Sequence, residues 1–79
     1  MNSAKFDKLF TKIDHRYIIH SFELIRLRQN LKLSVQQFAT IAGWSSVYQY
    51  KLEEGVYETI SEKIMNEILQ VFFRCGLNL

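Results

Sequence analysis

The absence of proline, together with the scarcity of glycine, most limits the folds open to this chain. None of the 79 residues is proline, and the three glycines stand at positions 43, 55 and 76. Strands joined by tight turns usually need more glycine and proline than this. We therefore predict an all-α protein, a compact bundle of about five short helices.

The N-terminal part of the chain has apolar residues at helical spacing. A first helix is predicted to begin at Ser3, a good N-cap residue, and a second to run from about Ser21 to Leu31. The Tyr-Ile-Ile segment at 17–19 fits either a short linker or part of one longer helix. The apolar stripe of this extra N-terminal helix would consist of Phe6, Leu9, Phe10 and Ile13.

Capping signals predict the next two helices. Ser34 and Gln37 have the spacing of a capping box, in which each side chain bonds to the backbone amide of the other residue. Gly43 can adopt the left-handed conformation that ends a helix. Ser45 or Ser46 would then cap a fourth helix, which we expect to extend to about residue 53.

The last predicted helix begins at Thr59, whose capping partner would be Glu62. Its apolar stripe is regular, and a chain of this length has room for one core only. We therefore expect a single domain over residues 1–79. The stripe would consist of Ile60, Ile64, Ile68 and Val71.

The charge is unevenly distributed. Residues 1–52 hold eight lysines or arginines against three acids, and residues 53–79 hold two against five. One side could therefore face a polyanion. The sequence has no apolar run long enough to span a bilayer and no signal-peptide core at its start, so we expect a cytoplasmic protein with no membrane partner.

Residues suited to catalysis or metal binding are few. Cys75 is the only cysteine, and the two histidines, His15 and His20, stand alone on a predicted helix and linker. We therefore predict that the protein is not an enzyme, and that it holds neither a metal nor a cofactor.

The central segment, VQQFATIAGWSSVYQYKLEE, has the pattern of two short helices joined by a glycine turn. Such a helix-turn-helix needs a small residue where the helices cross, and Ala39 stands there, followed by Gly43 at the turn. The unit can set its second helix into the major groove of DNA. The residues expected to be buried are Phe38, Ala42, Trp44 and Leu52.

Over about residues 22–73 the sequence resembles the lambda-repressor-like helix-turn-helix family of the Cro and Xre type. The resemblance implies a transcriptional regulator that binds double-stranded DNA, with a recognition helix at about 45–53. It also implies a structural ion pair between Arg28 and Glu53. The matching residues are Arg28, Leu33-Ser34, Phe38-Ala39, Gly43 and Leu52-Glu53-Glu54-Gly55.

One position departs from the family pattern. The interior of the recognition helix usually carries Ile or Val, but here it carries Gln49. Burying an amide without a partner costs about 1 to 3 kcal/mol. Either Gln49 finds a hydrogen bond, or the helix is rotated so that Tyr48 or Tyr50 is buried instead, which would change the residues that face the groove.

The family register supplies the candidate DNA-binding residues. Free amides at a helix start can bind phosphate oxygens, and apolar side chains can contact thymine methyl groups. On this register Val47 could contact such a methyl group, and Lys51 could reach a guanine or a phosphate. The candidates are Ser34, Val35, Gln36, Ser45, Ser46, Val47, Tyr48, Tyr50 and Lys51.

The resemblance favours a repressor, of the autoregulatory kind found in phages and mobile elements. An antitoxin or a protein-interaction module built on the same fold is the alternative, with a toxin as the protein partner. The apolar C-terminal segment VFFRCGLNL is expected to pack across a two-fold axis in a homodimer. In the other interpretation, Phe72 and Phe73 close the core of the monomer against the N-terminal helix.

Overall fold

The fold combines helices with a small antiparallel sheet. The computed structural model describes residues 4–79. Over these residues it has five helices and one three-stranded sheet, so the predicted all-α class is wrong and the protein is mixed α and β. In chain order the elements are α1 (Ala4–Leu9), β1 (Phe10–Ile13), β2 (Arg16–Ile19), α2 (Ser21–Asn30), α3 (Val35–Ala42), α4 (Ser46–Glu53), β3 (Ile60–Ser61) and α5 (Glu62–Arg74).

The N-terminal helix is shorter than predicted, because the chain turns into a β-hairpin after Leu9. The strands β1 and β2 pair antiparallel from Phe10 opposite Ile19 to Ile13 opposite Arg16. They are joined by a two-residue loop, in which Asp14 has a φ of 53°. Aspartate tolerates this left-handed conformation better than most residues do. The predicted cap at Ser3 lies outside the described residues.

The segment at 17–19 is neither a linker nor part of a helix. Tyr17 and Ile19 are buried while Ile18 between them is only partly buried, which is the two-residue period of a strand. β-Branched and aromatic residues fit the pleated, half-buried surface of a sheet well. A short run of such residues therefore forms a strand once a partner strand lies beside it.

The third strand corrects the predicted start of the last helix. Strand β3 pairs antiparallel with β2, with Ile60 opposite Tyr17. Thr59 does not cap a helix, because the residues that follow it form β3; its Oγ1 accepts a hydrogen bond from Arg16 Nε at 2.6 Å. Helix α5 begins at Glu62 and is capped by Ser61, whose Oγ accepts from the amide of Ile64 at 3.2 Å.

One apolar core joins the hairpin to the helices. The ring of Phe38 from α3 meets the ring of Phe72 from α5 edge to face, with centroids 5.3 Å apart. At the hairpin end, Phe6, Phe10 and Tyr17 form a second group of aromatic contacts. Burial of each such side chain contributes about 1.5 to 3 kcal/mol. The core therefore packs against one side of α3, and the opposite side of this helix is exposed.

Candidate nucleic-acid interface

Helix α3 is fixed at both ends by local hydrogen bonds. At its start, Ser34 Oγ accepts from the amide of Gln37 at 3.0 Å, and Gln37 Oε1 accepts from the amide of Ser34 at 2.8 Å. At its end, Gly43 has a φ of 89°, and its amide donates to the carbonyl of Ala39 at 2.9 Å. The capping box and the glycine end predicted from the sequence are both confirmed.

A three-residue turn leads from α3 into α4. The amide of Trp44 donates to the carbonyl of Ala39 at 3.0 Å, which holds the turn against the end of α3. Ser45 is the N-cap of α4, since its Oγ accepts from the amide of Tyr48 at 3.1 Å. Of the two serines predicted as possible caps, Ser46 is the first helical residue. Helices α3 and α4 pack against each other as a helix-turn-helix.

Gln49 is fully buried on the inner face of α4. The indole Nε1 of Trp44 donates to Gln49 Oε1 at 2.9 Å, and Gln49 Nε2 donates to Glu53 Oε2 at 2.8 Å. Within residues 4–79, no buried side-chain nitrogen or oxygen lacks a partner. The amide is therefore satisfied on both of its polar atoms, and α4 is not rotated to bury a tyrosine in its place.

Arg28 of α2 completes this network. Its Nε donates to Glu53 Oε2 at 2.7 Å, and its Nη2 donates to Glu53 Oε1 at 2.9 Å. Its Nη1 also donates to the carbonyl of Leu33 at 2.9 Å, just ahead of α3. The structure thus brings Arg28 and Glu53 together as a buried, two-bond ion pair. We call the linked side chains of Trp44, Gln49, Glu53 and Arg28 the polar chain.

The polar chain determines which residues of α4 point away from the core. Val47 is 61% exposed and Tyr50 is 53% exposed, and Lys51 beside them is also exposed. Ser46 is half-buried at the start of the same side. We call these four residues the outer face of α4. They include four of the nine candidate DNA-binding residues, and helical spacing places them on one side of α4.

Tyr48, also a candidate, lies on the flank of α4 rather than on its outer face. Its ring contacts the ring of Trp44, with centroids 5.1 Å apart, and the ring of Tyr57, with centroids 5.4 Å apart. Burial raises the pKa of the Tyr48 hydroxyl, and electrostatic interaction with Tyr57 adds to the rise. The side chain is held by its aromatic neighbours, so it is less free to contact a ligand.

The candidates at the start of α3 lie beside a separate open groove. Ser34 and Gln36 are exposed and Val35 is half-buried. The capping box uses the amides of Ser34 and Gln37, which leaves the first helical amides, those of Val35 and Gln36, without an acceptor inside the helix. The groove has a volume of about 620 Å³ and is lined by Leu33, Ser34, Gln36, Gln37, Thr40 and Ile41.

Two partners in this site were missed at the level of sequence. Trp44 was expected to be buried and is only partly buried, and neither its role as the donor to Gln49 nor the contact of Tyr57 was predicted. The four-residue spacing of Gln49 and Glu53 places both on one side of a helix and could have indicated their contact. No sequence signal identifies Tyr57, because its contact with Tyr48 depends on the path of the loop after α4.

Within residues 4–79, no helix is long and apolar enough to cross a membrane, and no group of histidine, cysteine or acidic residues could hold a metal ion.

Comparisons with other proteins leave the geometry as the basis for assigning a function. A scan against protein-family models found no match, and neither did searches of curated proteins and of solved structures.

Proposed function

We propose that this protein binds double-stranded DNA in a sequence-specific manner as a transcriptional regulator of the lambda-repressor-like helix-turn-helix type. One observation carries the proposal. Helices α3 and α4 form a capped helix-turn-helix, whose inner face is fixed by the polar chain and whose outer face is exposed. This is the arrangement that inserts a second helix into the major groove.

The dimensions and chemistry of α4 suit that groove. The major groove is about 12 Å wide and admits one α-helix. Ser46 and Val47 lie at the start of α4, and Tyr50 and Lys51 lie one turn further along the same side. A hydroxyl group, a methyl-bearing side chain, an aromatic ring and a cation therefore face outward together, and each can contact a base edge or a phosphate.

The start of α3 would hold the DNA backbone. The free amides of Val35 and Gln36 and the hydroxyl groups of Ser34 and Ser45 can donate to phosphate oxygens, and helix N-termini favour anions. In this arrangement α3 sets the position on the duplex while α4 reads the bases. Arg26 is less available for this role, because its Nε donates to Glu23 Oε1 at 2.9 Å.

The proposed regulator is a cytoplasmic repressor that acts as a homodimer. Phe72 is buried in the core of the monomer, whereas Phe73 beside it is 64% exposed. Phe73 is therefore the aromatic residue of the C-terminal segment that is available to a second copy. A two-fold dimer would present two α4 helices to half-sites about 34 to 36 Å apart, which is one turn of DNA.

A second candidate function is protein binding, as in an antitoxin. One observation favours it: Phe22, in the first turn of α2, is 91% exposed. An aromatic side chain this exposed gains most from contact with an apolar partner surface. This candidate predicts a stable complex with another protein and no preference among DNA sequences.

The test is selection of binding sites by the full chain from a pool of random duplexes, followed by fluorescence anisotropy over a salt series. We expect the selected duplex to bind about a thousandfold or more tightly than a scrambled one, with log affinity falling linearly as log salt rises. Absence of enrichment, together with absence of binding at low salt, would exclude the proposal and favour a protein partner.

A matched pair of lysine variants locates the contact. Lys51→Ala should weaken binding and lower the slope of the salt dependence by about one if Lys51 contacts a phosphate. Lys63→Ala removes the same charge from an exposed position on α5, and should change neither quantity. Equal effects from the two variants would show that α4 is not the DNA-contacting element.

A further inference from the structure

The outer face of α4 has an unusual composition for a helix that reads DNA. Its two exposed large hydrophobic side chains, Val47 and Tyr50, are an aliphatic group and a phenol ring. They are three residues apart, so they lie on the same side of the helix. Lys51 is the only cationic residue in α4.

Lys51 is the one side chain of this face that can identify a base by paired hydrogen bonds. Arginine or lysine reads guanine in this way, and asparagine or glutamine reads adenine. Helix α4 contains no arginine or asparagine, and its single glutamine, Gln49, is buried with its oxygen and its nitrogen already bonded within the protein. Apart from Lys51, the outer face of α4 must therefore identify bases by contacts other than paired hydrogen bonds.

An apolar side chain has one distinctive partner in the major groove. Thymine carries a C5-methyl group there, whereas the other base edges present hydrogen-bond donors and acceptors. Contact with a base that presents only polar atoms would remove water from those atoms and return no hydrogen bond. A methyl group is therefore the partner that best suits Val47 and the ring of Tyr50.

We propose that the outer face of α4 recognises thymine methyl groups through Val47 and Tyr50. This inference depends on the proposed DNA-binding function and specifies its target. Residues three apart in a helix are separated by about 4.5 Å along the axis, and base pairs stack about 3.4 Å apart. The two thymines should therefore lie on neighbouring base pairs, or on base pairs separated by one.

The experiment replaces each thymine of the selected duplex with uracil, one position at a time. Uracil pairs as thymine does and lacks only the C5-methyl group. We expect anisotropy at fixed salt to show a loss of affinity of about fourfold at each contacted thymine, which corresponds to one buried methyl group. Substitution at the other thymines should have no effect.

Protein variants assign the methyl groups to side chains. With Val47→Ala, uracil should no longer weaken binding at one of the two sensitive positions and should still weaken it at the other. With Tyr50→Ala, the two positions should exchange these behaviours. Ile13→Ala removes an exposed apolar side chain from β1 and is the control, which should retain both effects. Circular dichroism melting establishes that all three variants are folded.

The outcomes separate the two proposals. Specific binding that is insensitive to uracil at every thymine, or a selected site without thymine, overturns the methyl recognition and leaves the DNA-binding function in place. Sensitivity that survives both Val47→Ala and Tyr50→Ala overturns the assignment to these residues. Absence of specific binding to any duplex overturns both proposals together.

Discussion

Helices α4 and α5 bury their inner faces by different means. Both begin at a serine cap, Ser45 for α4 and Ser61 for α5. The inner face of α5 is apolar throughout, whereas α4 buries Leu52 together with two polar side chains. The buried residues of α5 are Met65, Ile68, Val71 and Phe72, and those of α4 are Gln49, Leu52 and Glu53.

The inner faces of α4 and α5 differ more in how firmly they fix the orientation of the helix than in how much they contribute to stability. Apolar packing is non-directional, and cores tolerate changes that preserve volume. Hydrogen bonds require both a distance and an angle, so Gln49 and Glu53 fix the rotation of α4 about its own axis. A buried ion pair adds little net stability compared with apolar residues of the same size. The polar chain is therefore better understood as the feature that directs the outer face of α4 outward.

Removing Glu53 from the polar chain should have the largest effect. Glu53→Ala leaves the guanidinium of Arg28 buried without its carboxylate, so we expect a loss of about 3 to 5 kcal/mol in the free energy of unfolding. Phe72→Ala in α5 should cost a similar amount, about 3 to 5 kcal/mol, by creating a cavity. Urea unfolding monitored by circular dichroism measures both.

A second substitution separates the two causes. Adding Arg28→Met to Glu53→Ala removes the orphaned charge and should recover a large part of the lost stability. The same Arg28→Met change combined with Phe72→Ala should recover nothing, because the cavity remains. Equal behaviour of the two double variants would show that α4 and α5 are held in the same way.

An intermediate effect is expected from Gln49→Leu. This change leaves the indole of Trp44 without its acceptor, so we expect a loss of about 1 to 3 kcal/mol. In a double-mutant cycle with Trp44→Phe, the two losses should be coupled by at least about 0.5 kcal/mol. Ile68→Val in α5 is the control and should cost about 0.5 to 1.5 kcal/mol, with no coupling to Trp44→Phe.

The smallest effect is a loss of stability at high pH, which comes from Tyr48 on the flank of α4. Burial raises the pKa of Tyr48, and Tyr57 adds to the rise, so the folded protein favours the neutral hydroxyl. This contribution to stability is complete below the ordinary tyrosine pKa of about 10, and is lost as the pH rises from there through the pKa of the folded state. Urea unfolding between about pH 9 and pH 11 should show the decline, and Tyr48→Phe should reduce its slope. An unchanged slope in that variant would contradict the assignment.

The parts of the fold that the sequence predicted are those specified by neighbouring residues. The caps of α3 and α4 and the turn at Gly43 depend on contacts within a few residues, and each was predicted. The hairpin was missed because the spacing of Phe6, Leu9, Phe10 and Ile13 also fits a helix. Its strand conformation depends on the pairing of β1 with β2 and of β2 with the distant β3, and the spacing of apolar residues within one segment does not indicate either pairing.

The candidate site also has a part that local sequence patterns predict and a part that depends on tertiary contacts. The positions of Ser46, Val47 and Lys51 follow from the helix period once Gln49 is known to be inside. The sequence left open whether Gln49 points inward, because the donor and the acceptor that satisfy it belong to Trp44 and Glu53, respectively, in their folded positions. Tertiary hydrogen bonds of this kind depend on side-chain rotamers that single-sequence patterns do not determine.

The hydrogen bond between Arg16 and Thr59 closes a long loop of the chain. The two residues are 43 positions apart, and α2, α3 and α4 all lie in the loop that this contact closes. Closing a flexible loop of this length costs on the order of 3 kcal/mol in chain entropy. Folded helices within the loop shorten the distance that a flexible chain would otherwise have to span. The hairpin therefore closes the loop that contains the helix-turn-helix, and its pairing with β3 depends on the folding of the helices within that loop.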